Sequence, residues 1–110
     1  MTDLNIDELV QQMIAAAKKV LGNKLPETFQ YAEGEFKKLG EVILDIQKKK
    51  LAGAIDATDA ALLVNMQKNA IQTVLLAVVG ISTALTEQTI DAALTAIRDA
   101  VNSVIGWPLI

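Results

Sequence analysis

Residues 69–86 contain no charged side chain, and this charge-free stretch constrains the fold more than any other feature of the sequence. Only five charges lie in residues 60–110, whereas the other eighteen lie in residues 1–59. A helix on the surface of a small monomer normally carries charges on its outer face. The stretch therefore predicts a helix that is covered on most sides by protein, lipid or a ligand.

The length and composition predict one all-α domain spanning residues 1–110. A chain of 110 residues is long enough to bury a core without disulfides or metals. Apolar residues make up 52% of the chain but aromatic residues only 4%, so we expect a core of Ala, Leu, Ile and Val. Strong helix formers dominate and only two prolines are present, which favours helices throughout.

Helix 1 is predicted to begin at Asn5, a good N-cap residue, and to end at Gly22. Helix 2 is predicted to begin around Pro26 and to end near Leu51, with Gly53 as the break. Its apolar residues recur at heptad spacing, which predicts one buried face. The residues predicted to lie on that face are Phe29, Ala32, Phe36, Leu39, Ile43 and Ile46.

Helix 3 is predicted to begin at Asp56 or Thr58, both of which are favoured N-cap residues. Because its middle is apolar in every direction, we expect it to be a central helix. Helix 4 is predicted to begin at Thr86 and to end at Gly106. No Gly or Pro lies between residues 81 and 105. An alternative is therefore that helices 3 and 4 are joined as one kinked helix.

The expected architecture is a four-helix bundle built on a long antiparallel hairpin of helices 2 and 3. At 1.5 Å per residue these two helices would each extend about 40 Å, and helices 1 and 4 only about 24–28 Å. Two short helices cannot cover a long hairpin completely. The mismatch therefore suggests a second chain.

The sequence lacks the residue types that most enzyme chemistry requires. It contains no histidine and no cysteine, which removes the commonest general base, the commonest metal ligand and the thiol nucleophile. The carboxylates Glu41 and Asp45 lie one helical turn apart but among lysines, which is typical of a solvated face. We therefore expect no catalytic residues, no metal site and no cofactor.

The net charge and the N-terminal sequence indicate which partners and which cellular location to expect. A net charge of −3 argues against nucleic acid as the main partner. The N-terminus is acidic and polar, unlike a secretory signal peptide, so we expect a cytoplasmic protein. The chain as a whole has the texture of small bacterial or phage-encoded helical proteins, although no motif carries this. Residues 70–85 are apolar but number about 16, fewer than the roughly 20 that a transmembrane helix needs.

The leading functional hypothesis is a non-enzymatic interaction or assembly protein that forms a homodimer. This hypothesis rests on the surplus of apolar surface on helix 3, which a second copy of the chain related by a two-fold axis could cover. The predicted interface residues are Ile71, Leu75, Val78 and Val79.

Two other hypotheses remain open: a small carrier for a lipid or another apolar ligand, and a protein that associates peripherally with a membrane. Gln72 and Thr73 are uncharged polar residues within the most apolar helix, and they could contact a ligand or a partner. They could equally face water. Trp107, the single tryptophan, could anchor a partner or fold back to plug the end of the bundle.

Overall fold

The computed structural model of the protein describes residues 4–110, and within this range it contains four α-helices and no strand. The predicted all-α class is therefore confirmed. Two single 3₁₀ turns join the first two helices, and a π-helical turn follows the third. The helices are α1 (Ile6–Leu21), α2 (Gln30–Leu51), α3 (Ala57–Val74) and α4 (Thr83–Ile105).

Three of the helices begin at a polar side chain that caps the first turn. The Asn5 side chain accepts a hydrogen bond from the Glu8 amide at 3.1 Å, as the sequence predicts. Asp56 caps α3 in the same way at 2.8 Å. Each cap satisfies one of the amide groups that have no partner within the helix, and so fixes where the helix begins.

The core lies mainly where α1 packs on α2 and α4, and where α3 packs on α2. All six residues predicted for the inner face of α2 are at most 2% exposed, so that prediction is confirmed. By contrast, α3 and α4 touch each other much less than α1 and α4 do. This weak contact leaves one side of α3 without a neighbouring helix.

Gly40 allows α1 and α2 to approach each other closely. A Cβ atom placed at Gly40 would lie 3.1 Å from Val10 Cγ2 and 3.3 Å from Ile6 Cγ2. A Cβ atom at Gly34 would meet nothing within 4 Å. Of the two glycines in α2, only Gly40 therefore has a packing role.

The junction of α3 and α4 differs from the sequence prediction. α3 ends at Val74, and a π-helical turn at Leu75–Val79 leads to Gly80, whose φ of 83° is left-handed. Ser82 then caps α4 by accepting a hydrogen bond from the Leu85 amide at 3.2 Å. α4 thus begins at Thr83 rather than at Thr86, and α3 and α4 are separate helices.

The lengths and the contacts of the helices correct two further expectations. α4 has 23 residues and α3 has 18, so α4 is not one of two short helices beside a long hairpin. The argument for a second chain from helix length is therefore wrong. α3 is not central either, because its own contacts are mainly with α2.

The C-terminal tail folds back against the end of α4. Gly106 has a left-handed φ of 83° and ends the helix as predicted. The Asn102 side chain then accepts hydrogen bonds from the amides of Leu109 at 2.9 Å and Ile110 at 3.0 Å. Leu109 is buried and Trp107 is half-buried, so the tail forms part of the domain.

Candidate interaction surface

The side of α3 that faces away from α2 carries large apolar side chains in contact with solvent. Leu62 is 58% exposed and Met66 is 60% exposed. Their spacing of four residues continues through further exposed residues at spacings of three and four, so all of them lie on one strip of the helix. We call this strip the α3 outer face, and it consists of Leu62, Met66, Asn69 and Thr73 on α3 and Leu76 in the π-helical turn that follows.

No residue of the α3 outer face is charged. The exposed surface of α2 is different, since Lys37, Lys38 and Glu41 lie on it. Single exposed apolar residues are common in soluble proteins, but a continuous apolar strip is typical of an interaction surface. The α3 outer face has apolar side chains at both ends, with Leu62 and Met66 at one end and Leu76 at the other, separated by the amide of Asn69 and the hydroxyl of Thr73.

By length and composition, the helical segment Ala57–Val79 could also cross a membrane. Core helices of soluble proteins meet the same criterion, but they are mostly buried. Only 22% of the most apolar window of this segment is buried inside the domain. The rest of the window is divided between partly buried residues such as Leu63 and Val74, which pack on the core, and exposed residues such as Leu62 and Met66.

The structure places the four predicted interface residues in two environments. Ile71, Leu75 and Val79 are at most 7% exposed and lie in the core of this chain, so they offer no surface to a partner. Val78 is 51% exposed, in the π-helical turn. The sequence places the apolar surface too close to the C-terminal end of the helix, because the composition around residue 75 does not show which side packs on α2.

An open cleft of about 580 Å³ lies between α3 and α4, where the two helices make little contact. Three of the five charges in residues 60–110 line it, with Lys68 on α3 and Glu87 and Asp91 on α4. Within residues 4–110, none of these three charges forms an ion pair within 4.0 Å. The remaining lining residues are Asn65, Asn69, Gln72 and Ile90.

The polar residues predicted as possible contacts are separated in the structure. Gln72 lines the cleft, and Thr73 lies on the α3 outer face, where its hydroxyl donates a hydrogen bond to the Asn69 carbonyl at 3.0 Å. Trp107 lies away from both, beyond the end of α4, where the side-chain nitrogen of Lys50 lies over its ring. Only Gln72 and Thr73 belong to the α3 surface.

Sequence reasoning missed Leu62, Met66 and the cleft residues on α4. The strip itself carries a detectable signal, because Asn69 and Thr73 continue the spacing of Leu62 and Met66. The cleft gives no such signal in the sequence, because the residues on its two sides are about 20 positions apart along the chain.

Three of the four carboxylates of α2 pair with lysines, among them Glu35 with Lys38 at 3.2 Å. Asp45 pairs with Lys49 at 2.9 Å, and Glu33 pairs with Lys18 of α1 at 3.3 Å. Glu41 is exposed. These contacts are typical of a solvated helix face and supply no evident chemistry.

Comparisons with protein-family models, with curated proteins and with solved structures give no match to this chain.

Proposed function

We propose that this protein is a non-enzymatic interaction protein that self-associates through the α3 outer face. The observation that carries the proposal is the exposure of Leu62 and Met66 on a side of α3 whose only charged residue is Asp59, in the first turn. Leu76 and Val78 extend the exposed apolar surface toward the C-terminal end of the helix. Removing these side chains from water would contribute roughly 25 cal/mol per Å² before the cost of association.

We also propose that the four helices form an antiparallel bundle that includes an α2–α3 hairpin. The Gln67 amide of α3 donates a hydrogen bond to the Glu35 carbonyl of α2 at 3.0 Å. The Thr28 hydroxyl, just before α2, donates one to the Val79 carbonyl at 3.1 Å. Thr28, the earlier of the two residues at α2, bonds to Val79, the later of the two at α3, which is the order of an antiparallel pair. In this arrangement α3 and α4 are neighbours that remain apart, which leaves the cleft.

The charge distribution favours a protein partner over a membrane or an apolar ligand. Helices that lie in a membrane interface usually carry several Lys or Arg residues on their polar face, whereas α3 has only Lys68. The cleft is lined mostly by amides and charged groups, which do not suit an apolar ligand. A second cavity of about 180 Å³ between α1 and α4 is lined mainly by apolar side chains, but it is open and smaller than most ligand pockets.

The test is sedimentation equilibrium of the full chain at micromolar concentration. We expect a mass above that of the 11.8 kDa monomer, because the apolar strip is covered in the dimer. Leu62→Glu should return the protein to the monomer. Leu51→Glu is the matched control, since Leu51 is 74% exposed but lies at the end of α2, away from the strip. A monomeric wild-type protein would overturn the proposal.

One observation favours a second candidate, association with a membrane surface. The segment Ala57–Val79 has the length and composition of a membrane helix, and only 22% of its most apolar window is buried. Flotation with vesicles of phosphatidylcholine and phosphatidylglycerol tests this candidate. Flotation of the wild-type chain that is lost in Leu62→Glu and kept in Leu51→Glu would support the membrane function. A self-associating protein should remain at the bottom of the gradient.

A further inference from the structure

We infer that the α3–α4 cleft is the centre of the dimer interface, and that Lys68 of each subunit faces Glu87 and Asp91 of the partner subunit. The inference rests on the proposed self-association and specifies its geometry. The two-fold axis runs along the cleft, parallel to the helices. Each α3 then lies against α4 of the partner subunit, and the two pairs of helices pack face to face across the interface.

The area of the α3 outer face alone is too small for a stable dimer. The segment Ala57–Val79 has 23 residues, which at 1.5 Å each and a helix width of about 10 Å corresponds to roughly 340 Å². A stable interface buries about 800 Å² per subunit. Including the adjacent surface of α4 doubles the estimate to about 700 Å². The contact must therefore extend across the cleft to α4.

The charges that line the cleft select one of the two possible two-fold arrangements. If the axis were perpendicular to the helices, α3 would pack on α3 of the partner subunit. The acidic residues of α4 would then face α4 of the partner subunit. Both lysines would then share one strip, remote from the carboxylates. A two-fold axis parallel to the helices leaves each residue at the same height along that axis. Lys68 therefore faces the partner subunit's cleft carboxylates, which lie at the same height.

Complementary charges at this position would also determine which surfaces pair. Glu87 and Asp91 are one helical turn apart on α4, so a single lysine can reach both. Each subunit contributes one lysine and one acidic pair, and the dimer therefore contains two such clusters. Opposite charges across an interface favour the correct register, and like charges oppose the wrong one.

The cleft amides fit this environment. Asn65 and Gln72 lie on the cleft side of α3, and their side chains can both donate and accept hydrogen bonds. At the centre of an interface a polar group needs a hydrogen-bond partner, and an amide side chain offers both a donor and an acceptor to the groups that face it. Met66 and Leu62 would supply the apolar part of the contact, next to the lysine.

Charge reversal tests the inference directly. We compare dimer dissociation constants for wild type, Lys68→Glu, the double variant Glu87→Lys with Asp91→Lys, and an equimolar mixture of the two variants. Each variant alone should dissociate at least about tenfold more readily, because the facing charges become alike. The mixture should form heterodimers, since one of its two clusters is restored with reversed sign while the other cluster stays as in wild type.

Lys48→Glu is the control, because Lys48 is an exposed lysine on α2 outside the cleft. Far-ultraviolet circular dichroism of each variant confirms that the helices remain folded. If Leu62→Glu produces monomers but reversal at Lys68 leaves the dissociation constant unchanged, the cleft geometry is wrong and the proposed function stands. A monomeric wild-type protein would overturn both. Failure of the mixture to form heterodimers would also overturn the predicted pairing.

Discussion

The side-chain nitrogen of Lys50 lies 4.7 Å from the centre of the Trp107 ring, so the last turn of α2 holds the C-terminal tail in place. The same nitrogen donates a hydrogen bond to the Ile105 carbonyl, in the last turn of α4. The carbonyl groups at the end of a helix have no partner within it and carry partial negative charge. One lysine thus stabilises both the end of α4 and the indole ring beyond it.

Lys50→Ala should lower the free energy of unfolding by about 1–2 kcal/mol, because it removes both the cation–π contact and the hydrogen bond to the helix end. It should also shift the emission of Trp107, the single tryptophan, to longer wavelength in the folded protein. Urea denaturation and fluorescence measure the two effects. Lys48→Ala, an exposed neighbour in the same helix turn, should change neither. Equal effects in the two variants would contradict this role for Lys50.

Much of the fold could be predicted from local sequence signals. Asn5 and Asp56 are caps whose effect depends only on the three residues that follow them, and both helices begin where these residues indicate. The heptad spacing in α2 predicts its buried face because the face is a property of one helix alone. The start of α4 could not be located in this way, since a π-helical turn and Gly80 replace an ordinary helix end.

Phe36→Ala should lower the free energy of unfolding by about 3–5 kcal/mol, because the ring is completely buried and its removal leaves a cavity. The Phe36 ring lies 6.4 Å from the Phe29 ring, so both aromatic residues of the core would lose contacts. Tyr31→Ala is the matched control, since Tyr31 is on the same helix but 58% exposed. Its effect should be within about 0.5 kcal/mol, as for most surface substitutions. A small effect at Phe36 would contradict its place in the core.

The candidate interaction surface was only partly predictable, and the reason is geometric. The composition of residues 69–86 indicates surplus apolar surface, but it does not indicate which sides of the helix α2 covers. The core uses Ile71 and Leu75, and the exposed residues Leu62 and Met66 lie further toward the N-terminal end. The cleft depends on how far apart α3 and α4 are, which no spacing within a single helix can show.

Gly34→Ala should raise the free energy of unfolding by up to about 1 kcal/mol, because Ala is the better helix former and the added methyl group meets open space. Gly40→Ala has the same helical benefit, but its methyl group would lie within 3.4 Å of Val10 and Ile6. We therefore expect Gly40→Ala to be less stable than Gly34→Ala. Chemical denaturation of both variants measures the difference. Equal stabilisation would show that α1 can move away from α2 without cost.

Two buried threonines on α4 differ in whether their hydroxyl groups are satisfied. The Thr89 hydroxyl donates a hydrogen bond to the Leu85 carbonyl at 2.7 Å. The Thr86 side chain is fully buried as well, but its hydroxyl has no hydrogen-bond partner within residues 4–110. A buried hydroxyl without a partner loses its hydrogen bonds to water on folding and forms none within the protein to replace them.

Replacing each threonine by valine should therefore have opposite effects. Valine has nearly the same shape and a similar helix propensity, so the change mainly removes the hydroxyl. Thr86→Val should raise the free energy of unfolding by about 1 kcal/mol, because no hydrogen bond is lost and an unsatisfied polar group is removed. Thr89→Val should lower it by about 1 kcal/mol, because one hydrogen bond is lost. Urea denaturation of the two variants side by side gives the comparison, and destabilisation by Thr86→Val would mean that its hydroxyl does have a partner.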